Sequence, residues 1–163
     1  MIYEFCAENV TLLEKVMEAG ARRIELCDNL AVGGTTPSYG VTKAAVELAA
    51  NYDTTIMTMI RPRGGDFVYN ELEIAIMLED IRLAAQAGSQ GVVFGALTGE
   101  KKLDKPNLEK LIAASKGMEI IFHMAFDELS EEDQLEAIDW LSQAGVTRIL
   151  IRAGVSGDSL EKR

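Results

Sequence analysis

The sequence predicts an α/β fold in which parallel strands alternate with helices, a (β/α) barrel of the TIM type with about six of its eight strand–helix units. Three observations predict it. A phrase recurs as EAGARRIEL (Glu18–Leu26), QAGSQGVVF (Gln86–Phe94) and QAGVTRILI (Gln143–Ile151), each time closing a helix at Ala-Gly and opening a strand soon after. Strand and helix patterns alternate strictly, the mark of a parallel sheet with right-handed crossovers. That pattern suits either a doubly wound sheet or a barrel. Polar residues at the carboxyl ends of four strands suit a barrel mouth. The first strand also lacks the Gly-x-Gly-x-x-Gly turn that a dinucleotide-binding sheet carries.

The elements follow in order. Strands are expected over Ile2–Cys6, Arg23–Cys27, Thr55–Arg61, Gly91–Phe94, Glu119–His123 and Arg148–Ile151; they are short and apolar, as strands buried on both faces tend to be. Helices are expected over Val10–Ala19, Thr42–Asn51, Leu72–Ala87, Asn107–Ser115 and Glu131–Ala144. The third helix has Ile74, Met77, Leu78, Ile81 and Ala85 on one face, and Asn70 with Glu73 forms a capping box at its start. The fifth turns Leu135, Ile138 and Leu141 inward behind a Ser130 cap.

A chain of 163 residues is expected to form one domain with a real core. A net charge of −10 argues against a nucleic-acid partner, because a phosphate binder needs a basic stripe. No apolar run reaches the ~18 residues of a membrane span, and no signal peptide is legible. Two cysteines without a secretory signal predict reduced thiols in the cytoplasm.

Side chains alternate across a strand. Glu4 and Cys6 therefore share one face, and Arg23, Glu25 and Cys27 share one on the next strand. Glutamates inside a barrel need cations or hydrogen bonds, and the segment IRPRGGDF offers Arg61 and Arg63 at the end of the third strand. The fifth strand ends in FHMAFD, with the lone histidine, His123, close to Asp127. A long loop, Asn29–Gly40, follows the second strand; its glycines and hydroxyls suit either an anion or an ordinary surface turn. No Cys-x-x-Cys or paired-histidine pattern supports a zinc site. Thiolates on adjacent strands suit linear two-coordinate Cu(I) if they face each other, and core packing accounts for them equally well.

The segments RIELCDNLAVGGTTPSYG, MIRPRGGDFVYNELE and FHMAFD, with VVFGAL between the last two, resemble the CutC copper-homeostasis family over almost the whole chain. The resemblance implies a cytoplasmic (β/α) barrel associated with copper. It implies a polar cluster of Glu4, Glu25, Arg61, Arg63, His123 and Asp127, and copper thiols at Cys6 and Cys27. Met124 stands where the family carries an arginine.

Two functions compete. One is a copper-homeostasis protein binding Cu(I) through Cys6 and Cys27. The other is a barrel enzyme, a hydrolase, lyase or isomerase, acting on a small anionic substrate. Arg61 and Arg63 would clamp the anion, Glu4 or Glu25 would be the base, and His123 with Asp127 would transfer protons. A scaffold whose charged lumen is only an ion-pair network is a third reading. Since family members continue past the sixth strand, the last two strand–helix units are expected to be missing. The sheet would then leave Glu4 exposed beside a gap, and its bare edges would favour a homo-oligomer.

Overall fold

The computed structural model describes residues 2–151. Six strands and five helices alternate: β1 (Glu4–Glu8), α1 (Leu13–Glu18), β2 (Arg23–Cys27), α2 (Tyr39–Ala49), β3 (Thr55–Met59), α3 (Glu71–Ala87), β4 (Gly91–Phe94), α4 (Lys105–Ala114), β5 (Glu119–Phe122), α5 (Glu131–Gln143) and β6 (Arg148–Ile149). All neighbouring strands are parallel and the spatial order is the chain order, β1-β2-β3-β4-β5-β6. A strand order that follows the sequence without reversal is the barrel arrangement and not the doubly wound one.

The sheet is curled. Among the described residues β1 and β6 are its two edges and share no ladder, yet Arg148 Nη1 of β6 lies 2.6 Å from Glu4 Oε2 of β1. Outermost strands of a flat six-stranded sheet stand too far apart for that, since each step is about 4.8 Å. The fold is an open arc of a TIM-type barrel. Among the described residues no strand lies beyond β1, and Glu4 is exposed there as expected, with its carboxylate ion-paired to Arg23 and Arg148.

Curling separates two packed faces. On the outside, Ile24, Leu26 and Ile56 pack with Leu13 and Met17 of α1 and Ala45 and Ala49 of α2. Val92, Phe94, Ile120 and Phe122 pack with α3, α4 and α5. On the inside, Cys27, Met57, Met59, Val93 and Ile121 form a separate buried cluster. This two-sided burial is why the strands read as continuous apolar runs.

Local signals hold the helices in place. Asn70 and Glu73 form the capping box of α3, Ser130 caps α5, and Ser38, in the long loop after β2, caps α2. Several expectations shift. α1 starts at Leu13 and α2 at Tyr39, β3 ends at Met59 and leaves Arg61 in the loop beyond it, and in α3 Ala84 is buried while Ala85 is exposed. β1 starts at Glu4 and not Ile2, because its pairing begins opposite Arg23. In α5, Leu141 is buried, but Leu135 is 70% and Ile138 45% exposed, and Ala137 takes the inward position. The sixth strand is observed over two residues of the four expected, and positions 152–163 lie outside the described residues.

Candidate metal centre

The register of β1 and β2 sets Cys6 beside Glu25 and Glu8 beside Cys27. The two cysteines are therefore diagonal neighbours on the inner face. Their sulfurs are 3.9 Å apart. The Cys6 thiol points at Glu25 Oε1 across 3.8 Å, and the Cys27 thiol at the same oxygen across 3.6 Å. Among the described residues, these three side chains are the cluster of metal-ligating type, with donor atoms all within 4.8 Å of one another. Cys27 is fully buried, Glu25 is half-buried, and Cys6 is exposed and gives the cluster access to solvent.

Burial and neighbouring charge raise the proton affinity of two of the three groups. Burial pushes the Glu25 carboxyl above its ordinary value, and the negative charge of Glu4 pushes it further. The Cys27 thiol is also pushed up, by its hydrogen bond to Cys6, by burial, and by the charge of Glu25. A thiol so placed does not ionise by itself near neutral pH, and a metal ion is the natural replacement for its proton. The diagonal placement disfavours a direct disulfide. A two-residue offset of about 6.6 Å along the strand, combined with the ~4.8 Å strand spacing, puts the Cα atoms beyond the bridging range of about 7 Å. The chemistry of the donor set, two soft sulfurs facing one space, fits Cu(I).

The raised carboxyl gives a stability prediction. Glu25 contributes fully to folding below its ordinary value of 4.5, and that contribution is lost as pH rises through its higher folded value. Glu25→Gln removes the loss. The variant is expected to be more stable than the parent without metal at neutral pH, and the gap is expected to close as pH falls toward 4.5. Urea unfolding across that range measures it, and a gap independent of pH would show that burial of the carboxylate is not its cause.

The other sequence-predicted residues stand elsewhere. Glu4 occupies the amino-terminal end of the arc, where Glu4 and Glu119 meet Arg23 and Arg148 in a four-membered ion-pair layer. Like Glu4, each of Arg23, Glu119 and Arg148 is the first residue of its strand, and that shared position is the signal in the sequence that could have found this layer.

Arg61 is 2% exposed. Its Nη1 donates to the carbonyls of Val32 (2.7 Å) and Gly34 (3.0 Å), and its Nη2 to Gly65 (2.8 Å), so the guanidinium ties the loop after β2 to the loop after β3. Arg63 binds the carboxylate of Glu73, the same residue that completes the capping box of α3, and Asp66 at 3.0 Å. His123 is fully buried; its Nδ1 accepts from Ala125 N, and its ring centre lies 4.9 Å from that of Phe67. Asp127 lies in the 3-10 turn Met124–Glu128 that follows. A cavity of about 620 Å³ opens at the carboxyl ends of the strands, lined by Asp66, Phe67, Val68, Thr98, Lys101 and Glu128, with Lys101 and Glu128 already ion-paired.

Comparisons with known proteins agree with this architecture. The family model for the CutC family matches residues 1–162. A CutC family protein of Enterococcus faecalis is 52% identical over 161 residues, covering 99% of this chain and 77% of the relative. One of Streptococcus pyogenes is 53% identical over 150 residues, covering 92% of this chain and 72% of the relative. The crystal structure of the putative copper homeostasis protein CutC from Streptococcus agalactiae superposes with a TM-score of 0.94 at 46% identity, covering 99% of this chain and 77% of that one. No helix among the described residues is long and apolar enough to cross a membrane.

Proposed function

The chain belongs to the CutC family, and on that premise we propose that it is a copper-homeostasis protein that binds Cu(I) between the thiolates of Cys6 and Cys27. The observation that carries this reading is the pair of sulfurs 3.9 Å apart, with one carboxylate oxygen in contact with both. Two roles follow for the chain's own groups. Before the metal arrives Glu25 accepts from both thiols and fixes where the sulfurs point; Cys6 and Cys27 then give up those protons as the metal takes their place. The layer of Glu4, Arg23, Glu119 and Arg148 lies one strand step toward the amino-terminal end; its arginines balance the carboxylates there. The reading includes a cytoplasmic location, which free thiols suit, and self-association, for which the edge of β1, unpaired among the described residues, is a candidate surface.

Anaerobic Cu(I) titration against a chromophoric chelator tests it. The native protein is expected to take up about one ion per chain, and Cys6→Ser and Cys27→Ser are each expected to abolish tight uptake. Affinity should rise steeply with pH, because about two thiol protons leave for each ion bound. Undiminished affinity in either variant would remove that cysteine from the site.

A barrel enzyme acting on a small anionic substrate has less support. The cations it requires are spent within the protein: three N–H groups of Arg61 go to carbonyls, and Arg63 goes to Glu73 and Asp66. The cavity of about 620 Å³ at the strand ends is the place to look for such a substrate.

A further inference from the structure

We infer that Met59 is a third, thioether ligand of the metal centre, so that the ion is held by three sulfurs and not by two sulfurs in line; this inference rests on the copper reading above. Cys27 is fully buried, so any further donor to an ion at its sulfur has to come from the inner-face residues packed against it.

The sheet register supplies that donor. β2 and β3 pair Glu25 with Met57 and Leu26 with Thr58, so Met59 falls beside Cys27. Cys6, Glu25 and Met57 form one row across the inner face, and Glu8, Cys27 and Met59 form the next. Cys27, Met57 and Met59 belong to the same fully buried cluster. The choice between the two methionines follows from the glycines they touch. Met57 leans across β4: a Cβ on Gly91 would overlap its Sδ, so this thioether is spent filling the space over that glycine. Met59 borders the same glycine as Cys27: a Cβ on Gly34 would lie 3.0 Å from Cys27 Sγ and 3.6 Å from Met59 Cε. Methionine has three rotatable bonds and a polarisable sulfur, which lets a short swing of Sδ complete a site.

Glu25 also lies within reach, but a carboxylate is a hard donor and Cu(I) prefers thioether sulfur. The two groups thus separate by role, Met59 on the metal and Glu25 on the thiols before they lose their protons. A thioether adds no charge, so a site of two thiolates and Met59 favours Cu(I) over Zn(II), which accepts carboxylate readily.

The test compares Met59→Leu with Met57→Leu and Cys6→Ser, using anaerobic Cu(I) competition and copper X-ray absorption on the full chain. Leucine keeps volume and apolarity, so packing is nearly conserved. Met59→Leu is expected to weaken Cu(I) binding by about tenfold or more, the lower end of what loss of a supporting residue costs. It is also expected to lower the number of sulfurs bonded to copper from three to two, and Met57→Leu to change neither. Selenomethionine-labelled protein gives a readout without touching the Met59 side chain's shape: a copper–selenium distance should appear in the Met57→Leu background. Unchanged affinity and sulfur count in Met59→Leu, or no copper–selenium scattering, would overturn the inference and leave the two-cysteine reading intact. Undiminished Cu(I) binding in Cys6→Ser would instead overturn the two-cysteine reading itself.

Discussion

Arg61→Leu is expected to cost about 3–5 kcal/mol of stability, the largest effect of any single change outside the metal centre. The side chain is 2% exposed, and its hydrogen-bond acceptors are the carbonyls of Val32, Gly34 and Gly65. These belong to two different loops, and a leucine would leave three strong acceptors facing an apolar group. Each unpaired buried acceptor costs about 1–3 kcal/mol, less whatever water recovers at the loop tips. The guanidinium also lies 4.9 Å from the Phe67 ring centre, so its stacking is lost as well. Arg61→Lys should recover only part of the loss, because a point ammonium cannot reach three carbonyls held in the fan of a planar fork. Urea unfolding followed by circular dichroism measures both. A cost of Arg61→Leu below about 1 kcal/mol would mean that water replaces the guanidinium and that the two loops do not depend on it. The loop that Arg61 ties down carries Gly34, which rests on Cys27, so Cu(I) uptake should weaken in the same variant.

Gly91→Ala comes next, at about 1–3 kcal/mol. Gly91 opens β4 on the inner face, beside Met57 on one strand and Glu119 on the other. An added Cβ would overlap Met57 Sδ and lie 2.9 Å from the carbonyl oxygen of Glu119. The sulfur is the end of a flexible side chain and can move. The carbonyl is backbone and cannot move without opening the β4–β5 ladder. The double variant Gly91→Ala with Met57→Ala should therefore regain part of the stability and not all of it. Full recovery would show that the thioether alone caused the clash.

Much of this architecture was legible in the sequence, for reasons that act over short distances. The recurring Ala-Gly phrase marks helix closure because glycine takes the left-handed conformation there, as Gly88 does after α3. Asn70 with Glu73, and Ser130, mark helix starts because their oxygens reach backbone N–H groups three residues away. Strand alternation put Glu25 and Cys27 on one face, as it did Glu4 and Cys6. It erred in α5, where one face of apolar residues was read as wholly inward. Leu135 and Ile138 are exposed because burial there depends on a neighbouring surface, and not on periodicity.

The sequence by itself determined the order of strands and helices, their caps, and which residues share a face, because hydrogen bonding and sterics within a few residues decide those. Tertiary structure alone decided which residues meet. The register of β1 on β2 makes Cys6 the neighbour of Glu25 and a diagonal partner of Cys27, and a slip by two residues would have set the thiols side by side. The curl of the sheet brings Arg148 to Glu4 across 144 positions of chain and takes Glu4 out of the mouth. Folding of two loops over the strand ends turns Arg61 from a candidate anion ligand into a buried tie between them. The physical reason is the same each time: a charged or sulfur side chain is satisfied by whatever donor or acceptor the twist and curvature of the sheet carry to it, and those partners lie far along the chain.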